Sequence, residues 1–263
     1  MRYISPFHFI QEDLFRYGFV DANKKQSELK NILAQSETNT IHFQNNELDK
    51  NDIIHLFSNL DNAEILNIHT HIFRDKLLLH FLENGFFATG LNATFNPNLS
   101  NQNAIAFISP YYKQAAIDAI KNAVEQKDEN TIIQFFSVSH LLTQHDSLEL
   151  IEHIKATLQL PFFQLNVLID KVKENELIIS KEEILVLELN KISNVYNKFP
   201  IEYNSSREEL ANILNRLGCA FAHQKYFEFA QYVFKAALTI NTATNTKNQL
   251  TKNFEVVSNK NNN

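Results

Sequence analysis

The sequence predicts a mainly α-helical protein of stacked antiparallel helical hairpins, with a small mixed α/β part at its N-terminus. Three observations carry this. Among 263 residues only four are glycine and five are proline, too few for the sharp turns of a sandwich, a barrel or a Gly-looped nucleotide fold. Apolar residues make up 44% and charged residues 21%, a composition that can fill a core. From Tyr111 onward, apolar residues recur at helical spacing with few strand signals.

The elements of the first region, residues 1–110, follow in order. Ser5 ahead of Pro6 is an N-cap and first-turn pair that opens a helix reaching about Tyr17. Ile41 and Phe43 alternate with polar neighbours, as in a short strand. Ile53, Ile54, Phe57 and Leu60 recur as on a helix, with Asp49 or Asn51 as its cap. Ile65 to Ile68 reads as a second strand, which makes a strand–helix–strand unit with a right-handed crossover. Phe73, Leu77 and Phe81 then share one helical stripe that Gly85 can stop. Residues 86–103 read as a long loop, and Ala104 to Ile108 as a third strand ended by Ser109-Pro110.

The second region, residues 111–263, is a series of helices. Ala115, Ala116, Ala119, Ile120 and Ala123 form a stripe of small residues that permits close packing. Ile132, Phe135, Phe136 and Leu142 form the next stripe. Asp146-x-x-Glu149 and Ser180-x-x-Glu183 are capping boxes ahead of apolar runs. Pro161 stands where a first-turn proline belongs, ahead of Phe162, Leu165, Ile169 and Val172. Short connectors make successive helices antiparallel.

The totals exclude several functions. The net charge is −6 and there is no basic stripe to neutralise phosphates, so no nucleic-acid partner is expected. Neither G-x-G-x-x-G nor G-x-x-x-x-G-K-[ST] occurs. No apolar run approaches the roughly 18 residues of a membrane span. The N-terminus has no apolar core of a signal peptide, and the single Cys219 agrees with a reducing compartment. The expected location is the cytoplasm, with export by a signal-independent system left open.

Residues 206–242 carry the one resemblance. They open with Ser206-x-x-Glu209 and run through Leu214, Leu217-Gly218, Phe221, Tyr226, Ala230, Phe234, Ala237 and Ile240-Asn241. This segment resembles a tetratricopeptide repeat, the helix–turn–helix unit of about 34 residues. Leu217 and Gly218 fall on the repeat's Leu-Gly pair, with Phe221, Ala230, Phe234 and Ala237 on its aromatic, Ala, aromatic and Ala positions. Leu214 replaces the frequent Trp, and Thr242 stands where Pro often ends the unit. Residues 177–210 do not repeat the pattern. A single unit must stack on the helices before it and on a C-terminal helix around Leu250 to Val257. In this family the first helix lines a groove, so the resemblance implies that Asn212, Asn215, Arg216, Cys219 and His223 face a partner. The family's clamp for acidic peptide C-termini is not made, because Cys219 replaces its Asn and Asn215 its Lys. The alternative is that the hairpin only closes the helical stack.

His69-Thr70-His71, after the strand-like Ile65 to Ile68, resembles the first metal-ligand motif of amidohydrolases. That chemistry needs further strands with later His and Asp ligands, and the helical second region does not supply them. No residue is therefore assigned as catalytic or as a metal ligand, and no cofactor is expected. The leading expectation is a non-enzymatic adaptor or assembly subunit that binds a partner helix or extended peptide, in a homo- or hetero-oligomer. Alternatives are a secretion-system effector or chaperone, and a metal-dependent hydrolase using His69 and His71.

Overall fold

The computed structural model describes residues 2–10, 19–44, 46–87, 99, 101–137, 139–174 and 187–261, with only the backbone for Phe19, Val20 and Ser139. The chain is mainly helical with a small two-stranded sheet near its N-terminus. It divides into two compact units, Met1–Ala116 with His140–Asp146, and Ile117–Ser139 with Ser147–Asn263.

In the first unit, Ser5 caps a single 3-10 turn, Pro6–His8, its Oγ accepting from the Phe7 N–H at 3.3 Å. The rest of the helix expected there, residues 11–17, lies outside the described residues. Helix α1 (Phe19–Gln35) leads to strand β1 (Ile41–Phe43), which pairs antiparallel with β2 (Asn46–Leu48) in the register Ile41↔Leu48. Helix α2 (Lys50–Phe57) follows. Asp49 caps it, and Asp52 reaches back to the Asp49 N–H to complete a capping box. Ala22, Leu29 and Leu33 of α1, Leu48, and Ile53, Leu56 and Phe57 of α2 share one core.

The expected parallel unit is overturned at its second strand. Ile65 to Ile68 belong to helix α3 (Ala63–Arg74), whose first turn is capped by the Asn62 side chain accepting from the N–H groups of Glu64 and Ile65. Ile65, Ile68 and Ile72 are spaced three and four apart, which is the helical period. A run of four residues is too short to reveal it. Helix α4 (Lys76–Asn84) is capped by Asp75 and ends at Gly85 in the left-handed region, φ 73°, where glycine escapes the Cβ penalty.

The third expected strand is also helix. Ala104 and Ile108 lie on α5 (Gln102–Gln126), on one buried stripe with Tyr112, Ala115 and Ala119. Pro110 sits inside this helix. An interior proline costs about 3 kcal/mol, but Pro110 and Ala106 are both exposed, so water can reach the carbonyl it orphans. The first residues of helix α7 (Gln144–Leu158) correct another expectation. Thr143, rather than Asp146, stands at the cap, its Oγ1 accepting from the Asp146 N–H at 3.2 Å. Asp146 is buried instead, where it accepts from Ser109 Oγ at 2.5 Å and pairs with Lys113 Nζ at 2.6 Å. Of the loop expected over residues 86–103, most lies outside the described residues, and so does Ser180-x-x-Glu183.

The second unit contains helix α6 (Glu129–Ser137), the remainder of α7, and helices α8 (Leu160–Lys173), α9 (Leu189–Lys198), α10 (Asn204–His223), α11 (Phe227–Leu238) and α12 (Thr244–Asn261). Pro161 lies in the first turn of α8, and Phe162, Leu165, Ile169 and Val172 are buried, as their spacing predicts. Helix α10 packs on α8, α11 and α12, while α11 also contacts α9 and α12. Leu250 and Val257 seat α12. Buried Arg207 holds the preceding turn by donating to the carbonyls of Tyr196 and Phe199 and to Asn204 Oδ1.

Helices α10 and α11 form an antiparallel hairpin, turning at Lys225 with φ 65°. They approach closely at Gly218, where an added Cβ would lie 2.7 Å from the Phe234 ring. The Gly218→Ala variant gains about 1 kcal/mol of helix propensity but overpacks a filled core, which costs roughly 1–3 kcal/mol. A lower Tm is expected for this variant, and partial recovery when Phe234→Leu is added. A raised Tm would show slack between the two helices.

Candidate functional site

The five residues assigned to a partner-facing surface do form one face. Asn212, Asn215, Arg216, Cys219 and His223 follow the helical period along α10. Leu210, Ala211, Ile213, Leu214, Leu217 and Phe221 of the same helix are buried. Asn212, Arg216, Cys219 and His223 are exposed and Asn215 is half-buried. Four of the five, all but Asn212, line an open cavity of about 440 Å³ together with Lys173, Ala220 and Gln224.

Neighbouring helices fix the edges of this groove. Gln224 Nε2 donates to the Lys173 carbonyl at 3.1 Å and ties the end of α10 to the end of α8. Asn253 of α12 donates to Asn215 Oδ1 at 2.8 Å and lies 3.7 Å from Cys219 Sγ. Partial desolvation raises the pKa of the Cys219 thiol from its ordinary value. Lys173 and Arg216 are cations, and among the described residues no acidic side chain lines the groove.

The His-x-His pair has a different geometry from the one its sequence suggests. On helix α3 two residues separate by about 200° around the axis, so His69 and His71 cannot present two imidazoles to one ion. His69 is buried and His71 half-buried. No group of three or more His, Cys, Asp or Glu side chains close enough to hold a metal occurs among the described residues.

His69 belongs instead to an aromatic cluster that pattern reading missed. Its ring stacks on Tyr3 at 5.7 Å and meets Phe107 edge-on at 5.0 Å. Tyr111 packs against Tyr3 and Phe107, and its hydroxyl lies 2.8 Å from His55 Nε2. These residues line a cavity of about 530 Å³ within the first unit, together with Arg2, Ile4, Asp52, Leu56 and Gln114. Tyr3 Oη lies 2.7 Å from His69 Nδ1. A buried phenol O–H needs an acceptor; with Tyr3 donating to Nδ1, the neutral imidazole carries its proton on Nε2. Residues 3, 69 and 107 have no periodic relation, so no sequence signal joins them.

Burial, with His55 nearby, lowers the His69 pKa from 6.5 to about 4. An unfolded histidine binds a proton between those values that the folded one refuses. The stability this contributes is complete above pH 6.5 and is lost as the pH falls to about 4. The difference is worth roughly 3 kcal/mol. Urea unfolding at pH 7 and pH 4 measures it against His69→Asn, which keeps an acceptor for Tyr3 but does not titrate. The wild type is expected to lose roughly 2–3 kcal/mol more than the variant. An equal loss would mean that His69 titrates normally.

Comparison with protein families, with curated proteins and with solved structures finds no match to this chain.

Proposed function

We propose that this protein is a non-enzymatic adaptor or assembly subunit that binds another protein along the outer face of α10. The observation that carries this reading is the groove itself: Asn215, Arg216, Cys219 and His223 line one cavity with Lys173. The resemblance of residues 206–242 to a tetratricopeptide unit supports the same face, since the first helix of such a unit lines the binding surface. The buried side of α10 is committed to packing, which leaves this face to recognise a partner.

The chemistry of the groove defines the partner's surface. Its cations, Lys173 and Arg216, with His223 when protonated, sit in a chain whose net charge is −6. A helix or extended segment carrying acidic side chains complements them, with Ala220 and Cys219 contacting its apolar atoms. Charge pairing at such a rim governs association rate and specificity, and salt weakens it.

Pull-down from native lysate tests the reading, using the wild type and the Arg216→Glu/His223→Glu double variant, with circular dichroism to check folding. The expected result is a stoichiometric partner that binds the variant at least about tenfold more weakly and is released from wild type as salt rises. Equal retention by both proteins places the interface away from α10. Failure to recover any partner removes the adaptor reading.

A further inference from the structure

We propose that the cavity of the first unit binds a small, uncharged, planar heteroaromatic molecule. Its rings would lie among Tyr3, Phe107 and Tyr111, with a ring nitrogen accepting a hydrogen bond from His69 Nε2. This site is separate from the α10 groove and does not depend on the adaptor reading.

His69 is the reason to read the cavity as a built site. The residue is 5% exposed, and its Nδ1 is committed to Tyr3. Its Nε2 has no hydrogen-bond partner among the described residues and is not sealed from space as the orphaned His80 Nε2 is. It is therefore open to the cavity, where an acceptor on a ligand can replace water. Here the ring lines a cavity of about 530 Å³, a volume in the range of small-molecule sites, roughly 300–1,000 Å³. An acceptor placed in that space would satisfy it.

The walls select the chemistry of the ligand. Tyr3, His69, Phe107 and Tyr111 pack on one another at centroid distances of 5.0–5.9 Å and form one aromatic wall of the cavity. Planar rings pack on such surfaces in offset or edge-on arrangements. Ile4, Leu56 and Pro110 supply apolar surface beside them. The Arg2 guanidinium opposes an organic cation, while the Asp52 carboxylate opposes an anion. Among the described residues no third metal-ligating side chain joins the two histidines, His55 and His69. A neutral bicyclic heterocycle with one exposed ring nitrogen meets all of these conditions.

Benzimidazole and indole make a direct test, because they share a shape and differ in the ring nitrogen that can accept. Titrations of the full chain at pH 7.5 would be followed by side-chain and backbone NMR. The expected result is saturable binding of benzimidazole about three- to tenfold tighter than indole, with shifts at His69, Tyr3 and Phe107. The His69→Asn variant keeps the Tyr3 contact but has no donor at the Nε2 position, and it should lose the preference between probes. The His69→Gln variant places an amide N–H near that position and should keep part of it. Equal affinity for the two probes, shifts confined to other residues, or no saturation at millimolar benzimidazole would each overturn the proposal. The wild-type comparison stands by itself if a variant fails to fold.

Discussion

At Gly218 the α10 backbone runs so close to the Phe234 ring that a methyl group would lie 2.7 Å from it. Ala230, Val233, Phe234, Ala236 and Ala237 of α11 are buried around that approach. Small residues draw the two helices together, and the Phe234 and Phe221 rings fill the remaining space. Close packing of this kind tolerates neither added volume nor slack, so the hairpin is a rigid unit. Its α10 side then seats α8 and α12, and its α11 side seats α9 and α12.

The same rigidity defines the candidate surface. A helix buried along most of its circumference has a narrow face left, and on α10 that face carries Asn212, Arg216, Cys219 and His223. Hydrogen bonds from Gln224 and Asn253 fix the flanking helices at both edges. A groove held this way is pre-organised.

The first unit is organised by polar contacts that reach across the chain. Glu83 is buried on α4 and accepts from the Ser5 N–H at 3.0 Å, with His8 Nε2 2.8 Å away. Arg2 donates to the carbonyls of Glu83 and Asn84 at the end of the same helix. These bonds pin the N-terminal segment and bring Tyr3 to His69. Burial then pushes the Tyr3 phenol far up from its ordinary value and keeps the imidazole neutral. The cavity chemistry thus depends on an extended segment that has no periodicity of its own.

Local physics made much of this legible from sequence. Scarce Gly and Pro and the helical spacing of Phe162, Leu165, Ile169 and Val172 determined a mainly helical chain. Gly85 determined a helix end because a left-handed residue is required there. Leu217, Gly218, Ala230 and Phe234 determined a close hairpin because two small residues and two large ones alternate at fixed offsets. The α10 stripe was readable for the same reason: one helix face is a local property. Tertiary structure alone decided that Ile65 to Ile68 and Ala104 to Ile108 are helical, since such short apolar runs satisfy either period. It alone decided that Asp146 is a buried anchor for Ser109 and Lys113 rather than a cap. It also separated His69 from His71, and it joined His69 to Tyr3 and Phe107. Contacts between residues so far apart in the chain are set by how segments pack, and spacing within any one segment carries no record of them.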